Sequence, residues 1–502
     1  MSIDPSAHLK VAIPYDAVGF NEVWRNVSGA AGYFVGNNIF SRLVILDVFD
    51  TGEIAPDLAE RWDILDDGAR YIFHLNPRAR WHDGAPATAH DVAYTYGYVL
   101  EHGGTGLPFL QDIAAVRALG DHTVECVLQA PNSAFLAQLG LFVLTHILPR
   151  HLYEGTDWAD NPHNVNPVGS GPFKIKQWIE GQRVELTANH DYWRAGPYVE
   201  RLTYEVIPDG SEALEALAQG DVHFDVKGIL CRDYSAWKQK PGCDVFYEPG
   251  NATAALTFNF TRDTFQDHRV REAFARLIDR RKICDALCDL ATPQNHFYLE
   301  KVTWAFNPDA RAPEHDRAIA AQLLDAAGFP RDADGMRLRL GLATRALYEH
   351  YGMAAELLKA QFAAVGVELV TEALSPTAWK ERILDNAEFD LILDSVDIGP
   401  DPQLMASILA SDGPRNAGRY RSAAVDDCLR LGRATVDRAE RGAHYKRLQA
   451  VLAEDLPRVP LLQYGEFLPY RTEFTGWSWS DGVRGTLPFW SHAQVRPRTA
   501  KG

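Results

Sequence analysis

AALTFNFTRDTFQDHRVREAFARLIDRRKICDAL, residues 254–287, carries the pattern that decides the fold class. Its first seven residues, 254–260, are apolar and rich in β-branched and aromatic side chains, and they read as a strand. From Arg269 to Leu287 the apolar side chains recur at helical spacing, with Val270, Phe274 and Leu277 on one face. The spacing predicts one amphipathic helix over 269–287. A strand handing over to a helix is the unit of an α/β protein.

The unit recurs in both directions along the chain. HLKVAIPY (8–15), RYIFHL (70–75) and HTVECVLQ (122–129) read as strands. TAHDVAYTYGYVLEH (88–102) opens on a Thr with an acid three residues on, the signature of a capped helix start. SEALEALAQGD (211–221), RAIAAQLLDAAGF (317–329) and YGMAAELLKAQFAAVGV (351–367) read as helices closed by Gly, and AERGAHYKRLQAVLAEDL (439–456) as another helix. Repeats, low-complexity tracts and linkers are absent from the sequence.

The 502 residues are enough for two or three domains with ample core. A net charge of −17 does not suit a phosphate backbone, which argues against nucleic acid as a partner. The most apolar stretch, AFLAQLGLFVLTHIL (134–148), is too short to span a bilayer and holds Gln138 and His146, so it reads as buried core. The opening MSIDPSAHLKVAIPY has neither a basic n-region nor a long apolar stretch, and does not read as a signal peptide. Six cysteines occur without a CxxC. Cys231 and Cys243 flank a polar loop that an oxidising compartment would allow to be bridged. Cys284 and Cys288, four apart on a helix, read as buried. GxSxG, HExxH and P-loop motifs are missing, so no enzyme class is indicated, and the 17 histidines are scattered.

Longer motifs carry a resemblance. APDLAERWDILDDGARYIFHLNPRARWHDGAPATAHDVAYTY (55–96), NPVGSGPFKIKQWIEGQRVELTANHDYWRAGPYVERLTYEVIPD (166–209), FQDHRVREAFARLIDRRKI (265–283) and DLPRVPLL (455–462) resemble, in order, signature regions of the peptide/nickel-type substrate-binding proteins of ABC importers. The resemblance implies a two-lobed periplasmic-binding-protein-like α/β fold of type II with a hinged cleft. The first lobe would comprise 1–254 plus 463–502, with an extra subdomain at roughly 32–165, and the second 255–462. It also implies a monomeric, non-catalytic, extracytoplasmic protein without a cofactor. Its partners would be a small solute and the membrane subunits of an ABC permease.

Within that family the chain is most similar to the dipeptide-binding branch. GFNEVWRNVSGAAGYFVGNNIFSRLV (19–44) resembles a segment whose Ser-Gly pair lines the cleft, and Ser28 and Gly29 match it. TRALYEHYGMAAELLKAQFAAVGV (344–367) resembles a segment whose first Arg, here Arg345, binds the ligand carboxylate. FDLILDSVDIGPDP (389–402) resembles the segment whose Asp, here Asp397, binds the ligand ammonium. That stretch holds four aspartates, and Asp401 in its Gly-Pro-Asp-Pro turn reads as turn chemistry. The branch carries an aromatic residue three positions before its ligand Asp. This chain has Asp394 there, and Trp379 or Trp304 would supply the aromatic wall instead. The expected ligand is a short peptide or another solute bearing an amine and a carboxylate. A sugar, an opine or a nickel complex on the same scaffold is the alternative.

Overall fold

The computed structural model describes residues 2–24, 30–48, 52–141, 143–248, 250, 252–288, 291–346, 349–397, 399–463, 465–488 and 490–498. The chain forms two compact units: Met1–Tyr247 with Ala434–Val436 and Phe467–Gly502, and Glu248–Arg433 with Asp437–Glu466.

In the first unit a seven-stranded sheet runs in the order Cys243–Glu248, Glu466–Arg471, Phe224–Asp225, Asp4–Ile13, Val199–Val206, Arg183–Ala188, Phe173–Ile179. Asp4–Ile13 pairs in parallel with both of its neighbours. A separate antiparallel sheet follows the order Ala59–Leu65, Arg70–Leu75, Thr123–Leu128, Ile113–Gly120, and the Ala89–His102 helix packs on it. Thr88 and Asp91 close the expected capping box at the start of that helix. Phe135, Leu136 and Leu139 of the 134–148 stretch are buried in this unit's core.

Two of the signature motifs meet at His82. Its Nδ1 accepts from the Gly169 N–H and its Nε2–H donates to the Gly171 carbonyl, each at 3.1 Å. Burial pushes its pKa down to about 4, so the ring is neutral with the proton on Nε2. Gly84, two residues on, holds φ +92° in the tight turn of ARWHDG. In VGSGPF, a Cβ on Gly169 would sit 2.0 Å from the Ile39 carbonyl oxygen, so only glycine fits there.

The second unit has one six-stranded sheet, in the order Thr292–Pro293, Arg458–Gln463, Ala252–Phe258, Leu391–Asp397, Leu338–Arg345, Val367–Leu374. The last three strands are parallel to one another, and Ala252–Phe258 is antiparallel to both its neighbours. Leu391 and Leu393 join the main core, which also takes in Val270, Phe274, Leu358 and Leu448 from helices. Ile392 belongs to a smaller cluster with Ala343, Trp379 and Ile383. Asn259, at the end of its strand, donates to the carbonyls of Ala387 and Phe389 and ties that strand to the approach of the next.

Three expectations are corrected. Residues 269–287 form two helices, His268–Leu277 and Arg280–Leu287, because Ile278 leaves helical geometry and the Asp279 side chain caps the second by accepting from the Lys282 N–H. Cys231 and Cys243 are not bridged. Cys243 is a buried free thiol with the Arg471 guanidinium 3.9 Å from its Sγ, whereas Cys231 and Cys288 are each disulfide-bonded. Cys284 is buried and free, as its helical spacing suggested, whereas Cys288, expected to be buried and unpaired like it, is half-buried and disulfide-bonded.

Candidate functional site

The four aspartates of 389–402 have separate fates. Asp390, just ahead of its strand, accepts from the Gly341 N–H at 2.9 Å and faces Arg262 at 3.3 Å. Asp401 accepts from the Gln403 N–H at 2.9 Å, which is the expected turn chemistry. It also holds Arg441 through both oxygens at 2.7 and 2.8 Å in a buried pair. Asp394 is 8% exposed and receives Arg345 through both oxygens, Nε at 3.0 Å and Nη2 at 3.2 Å. Asp397 ends the strand opposite Ala252, and its side chain lies outside what the structure describes.

The register explains why Arg345 meets Asp394. Thr344 is the parallel partner of Leu393, so the next residue of each strand, Arg345 and Asp394, stand level at the carboxyl end. The Arg345 guanidinium also stacks 4.5 Å from the Trp379 ring centroid. Trp379 opens a π-helical segment, Trp379–Asp385, and is 2% exposed. Its indole N–H is buried and has no hydrogen-bond partner among the described residues.

Arg345, Asp394 and Trp379 line one narrow cavity with Ile392, Arg415 and Arg458, of about 40 Å³. Burial raises the Asp394 pKa above the ordinary carboxylate value, and the Arg345 charge opposes that rise. Burial pulls Arg458 down to about 10, with the Asp394 charge opposing. Arg345 also lines a second, more open concavity together with Ala286, Met353 and Leu357.

The structure therefore brings Arg345 and Trp379 together. Trp304 is elsewhere in the unit, edge-on to Tyr445 at 6.1 Å and under the Arg438 and Arg441 guanidiniums at 5.3 Å each. Ser28 and Gly29 lie outside the described residues. Arg415 and Arg458 were not singled out from sequence. Arg458 sits inside the quoted DLPRVPLL motif, but nothing in its spacing marks it as facing a cavity. Among the described residues there is no group of three or more His, Cys, Asp or Glu that could hold a metal ion, and no helix is long and apolar enough to cross a membrane.

Comparison with known proteins decides the family. The model for bacterial extracellular solute-binding proteins, family 5, matches residues 53–416. The chain belongs to that family. This family-5 protein is 25% identical to the dipeptide-binding protein of Escherichia coli over 468 residues, covering 88% of this chain and 86% of that one. It superposes on the substrate-binding protein CtaP of Listeria monocytogenes with a TM-score of 0.86 at 24% identity, covering 98% of this chain and 100% of the other. On NikZ of Campylobacter jejuni, solved with Ni(L-His), the TM-score is 0.80 at 26% identity, with 98% of each chain covered. The two-lobed α/β fold expected from the sequence is the fold of these proteins.

Proposed function

We propose that this family-5 protein captures a short peptide, or a similar small solute bearing an amine and an anionic group, and delivers it to the membrane subunits of an ABC importer. It works on the extracytoplasmic side, as a monomer and without catalysing a reaction. Asp397 receives the ammonium, and Arg345 with its surroundings receives the anionic end. Ser28, Gly29 and Trp379 contribute walls, and Trp304 is assigned to packing of the 438–455 helix.

One observation carries this reading. Arg345 and Asp397 both end parallel strands at one edge of the same sheet. The crevice outside the carboxyl ends of parallel strands is where open α/β sheets take ligands. Arg345 is level with Asp394, and three residues of extended chain separate that level from Asp397, roughly 10 Å at 3.3 Å per residue. The dipeptide-binding relative supports the same class.

Protein purified natively, without refolding, should release its bound solute on denaturation. Mass spectrometry of that solute is expected to find an amine and an anionic group in one molecule. A neutral sugar would contradict the proposal, and a metal chelate would move the reading to the nickel-type alternative.

A further inference from the structure

We propose that Arg415 and Arg458, beside the Arg345–Asp394 pair, form a compact anion subsite that takes a carboxylate or phosphate group, with Asp394 as its built-in competitor.

The charge inventory is the first support. Three guanidiniums and one carboxylate are the charged groups among the described residues lining the cavity. Asp394 spends both of its oxygens on Arg345. The Arg415 and Arg458 side chains make no hydrogen bond or ion pair among the described residues. Arg458 is half-buried and Arg415 is exposed, so two guanidiniums of this lining are not spent on an acid among the described residues. A guanidinium fork matches the planar oxygens of a carboxylate or the face of a phosphate.

The second support is independent of charge. The buried indole N–H of Trp379, on a side chain that lines this cavity, has no acceptor among the described residues. Buried donors are almost always satisfied, by protein, water or ligand. An anion oxygen supplies the acceptor. Size fits as well: about 40 Å³ holds a head group or a few waters, and not a whole peptide. The rest of the solute lies outside.

Asp394 then has a specific part. It neutralises Arg345 when the subsite is empty and opposes a second anion when one arrives. Arg458 is its electrostatic neighbour, so Asp394 has a second cation beside it when Arg345 turns to the ligand. The subsite stands on its own geometry. That it receives the anionic end of the transported solute rests on the reading under Proposed function.

The test needs no identified ligand. Melting midpoints of the full chain are followed through titrations of sodium acetate and of sodium phosphate, against sodium chloride at equal ionic strength to remove general screening. Wild type is expected to gain stability from one of the two anions, and which one assigns the head group. Arg458→Gln and Arg415→Gln are each expected to weaken the apparent Kd about tenfold or more. Asp394→Asn is expected to melt lower in chloride yet bind the anion about threefold tighter or better, because the competitor is gone. A purely structural Asp394 predicts the lower melting point alone. No anion effect in wild type, or an effect unchanged in both arginine variants, overturns the subsite. If one arginine variant does not fold, the other carries the comparison. A dipeptide that binds while neither anion acts would spare the peptide reading and remove only this subsite.

Discussion

Asp394 grips Arg345 through both carboxylate oxygens, one strand to the next, at 3.0 and 3.2 Å. The residue expected to hold a ligand carboxylate is thus partnered within its own sheet. Asp394, at the position where the resemblance to the dipeptide-binding branch leads one to expect an aromatic, is what partners it. On the proposed reading, affinity at the anionic end is a difference between two carboxylates competing for a group of arginines, and it is tunable at position 394.

Asp401, seven residues on, is predicted to be purely structural. Its bidentate partner Arg441 is buried with it. Asp401→Asn leaves that cation uncompensated and should lower unfolding stability by about 3–5 kcal/mol. Denaturant melts check this. Affinity for dipeptides should be unchanged in the fraction that remains folded.

His82 should give the fold an acid-sensitive joint. Its folded pKa is depressed to about 4, below the ordinary histidine value of 6.5. Its stabilising contribution is fully present above pH 6.5 and is lost as pH falls through the folded value. The loss is of order 2 kcal/mol, since each unit of pKa difference is worth about 1.4 kcal/mol and the group is only partly enclosed. Midpoints measured from pH 7 to pH 4 should fall over that window. His82→Gln should flatten part of the slope while starting from a lower stability at pH 7. An identical slope in wild type and variant would contradict it.

Asp225 works in the opposite sense. It is 1% exposed, one of its oxygens lacks a hydrogen-bond partner among the described residues, and burial raises its pKa to about 6. Its folded value lies above the unfolded one, so stability falls as pH rises from about 4 to about 6, and the cost is complete at neutral pH. Asp225→Asn should raise stability at pH 7 by about 2 kcal/mol. It should have little effect below pH 4.

Much of the secondary structure could be read from local signals. RYIFHL alternates and is the strand Arg70–Leu75, and the Thr88–Asp91 box starts its helix where the sequence places it. Gly220 closes the 210–219 helix in the left-handed region for the reason glycine suggests. The break at Ile278–Asp279 was hidden because the apolar periodicity runs across it, and a single cap outweighed that pattern. The cysteine pattern misled because loop spacing says nothing of where a side chain points.

The candidate site was legible only where chain neighbours announce it. Arg345 and Asp394 lie 49 positions apart in sequence and meet through parallel register, and Trp379 reaches them from a π-helical turn between their strands. Arg415 and Arg458 come from a loop and from the first residue of another strand. No local pattern connects five segments, so their convergence on one cavity is a property of the sheet order.

Asp397→Asn is the most direct test of Asp397 as the ammonium partner, because it keeps the shape and removes the charge. Calorimetric titration of alanyl-alanine and related dipeptides into wild type and variant, with melting curves alongside, is the measurement. Losing one partner of an enclosed charge pair costs about 2–5 kcal/mol. Affinity should therefore fall roughly 30-fold to several thousand-fold, with the melting point nearly unchanged. Equal affinity in wild type and Asp397→Asn would make Asp397 a strand-end residue and contradict the peptide-like reading.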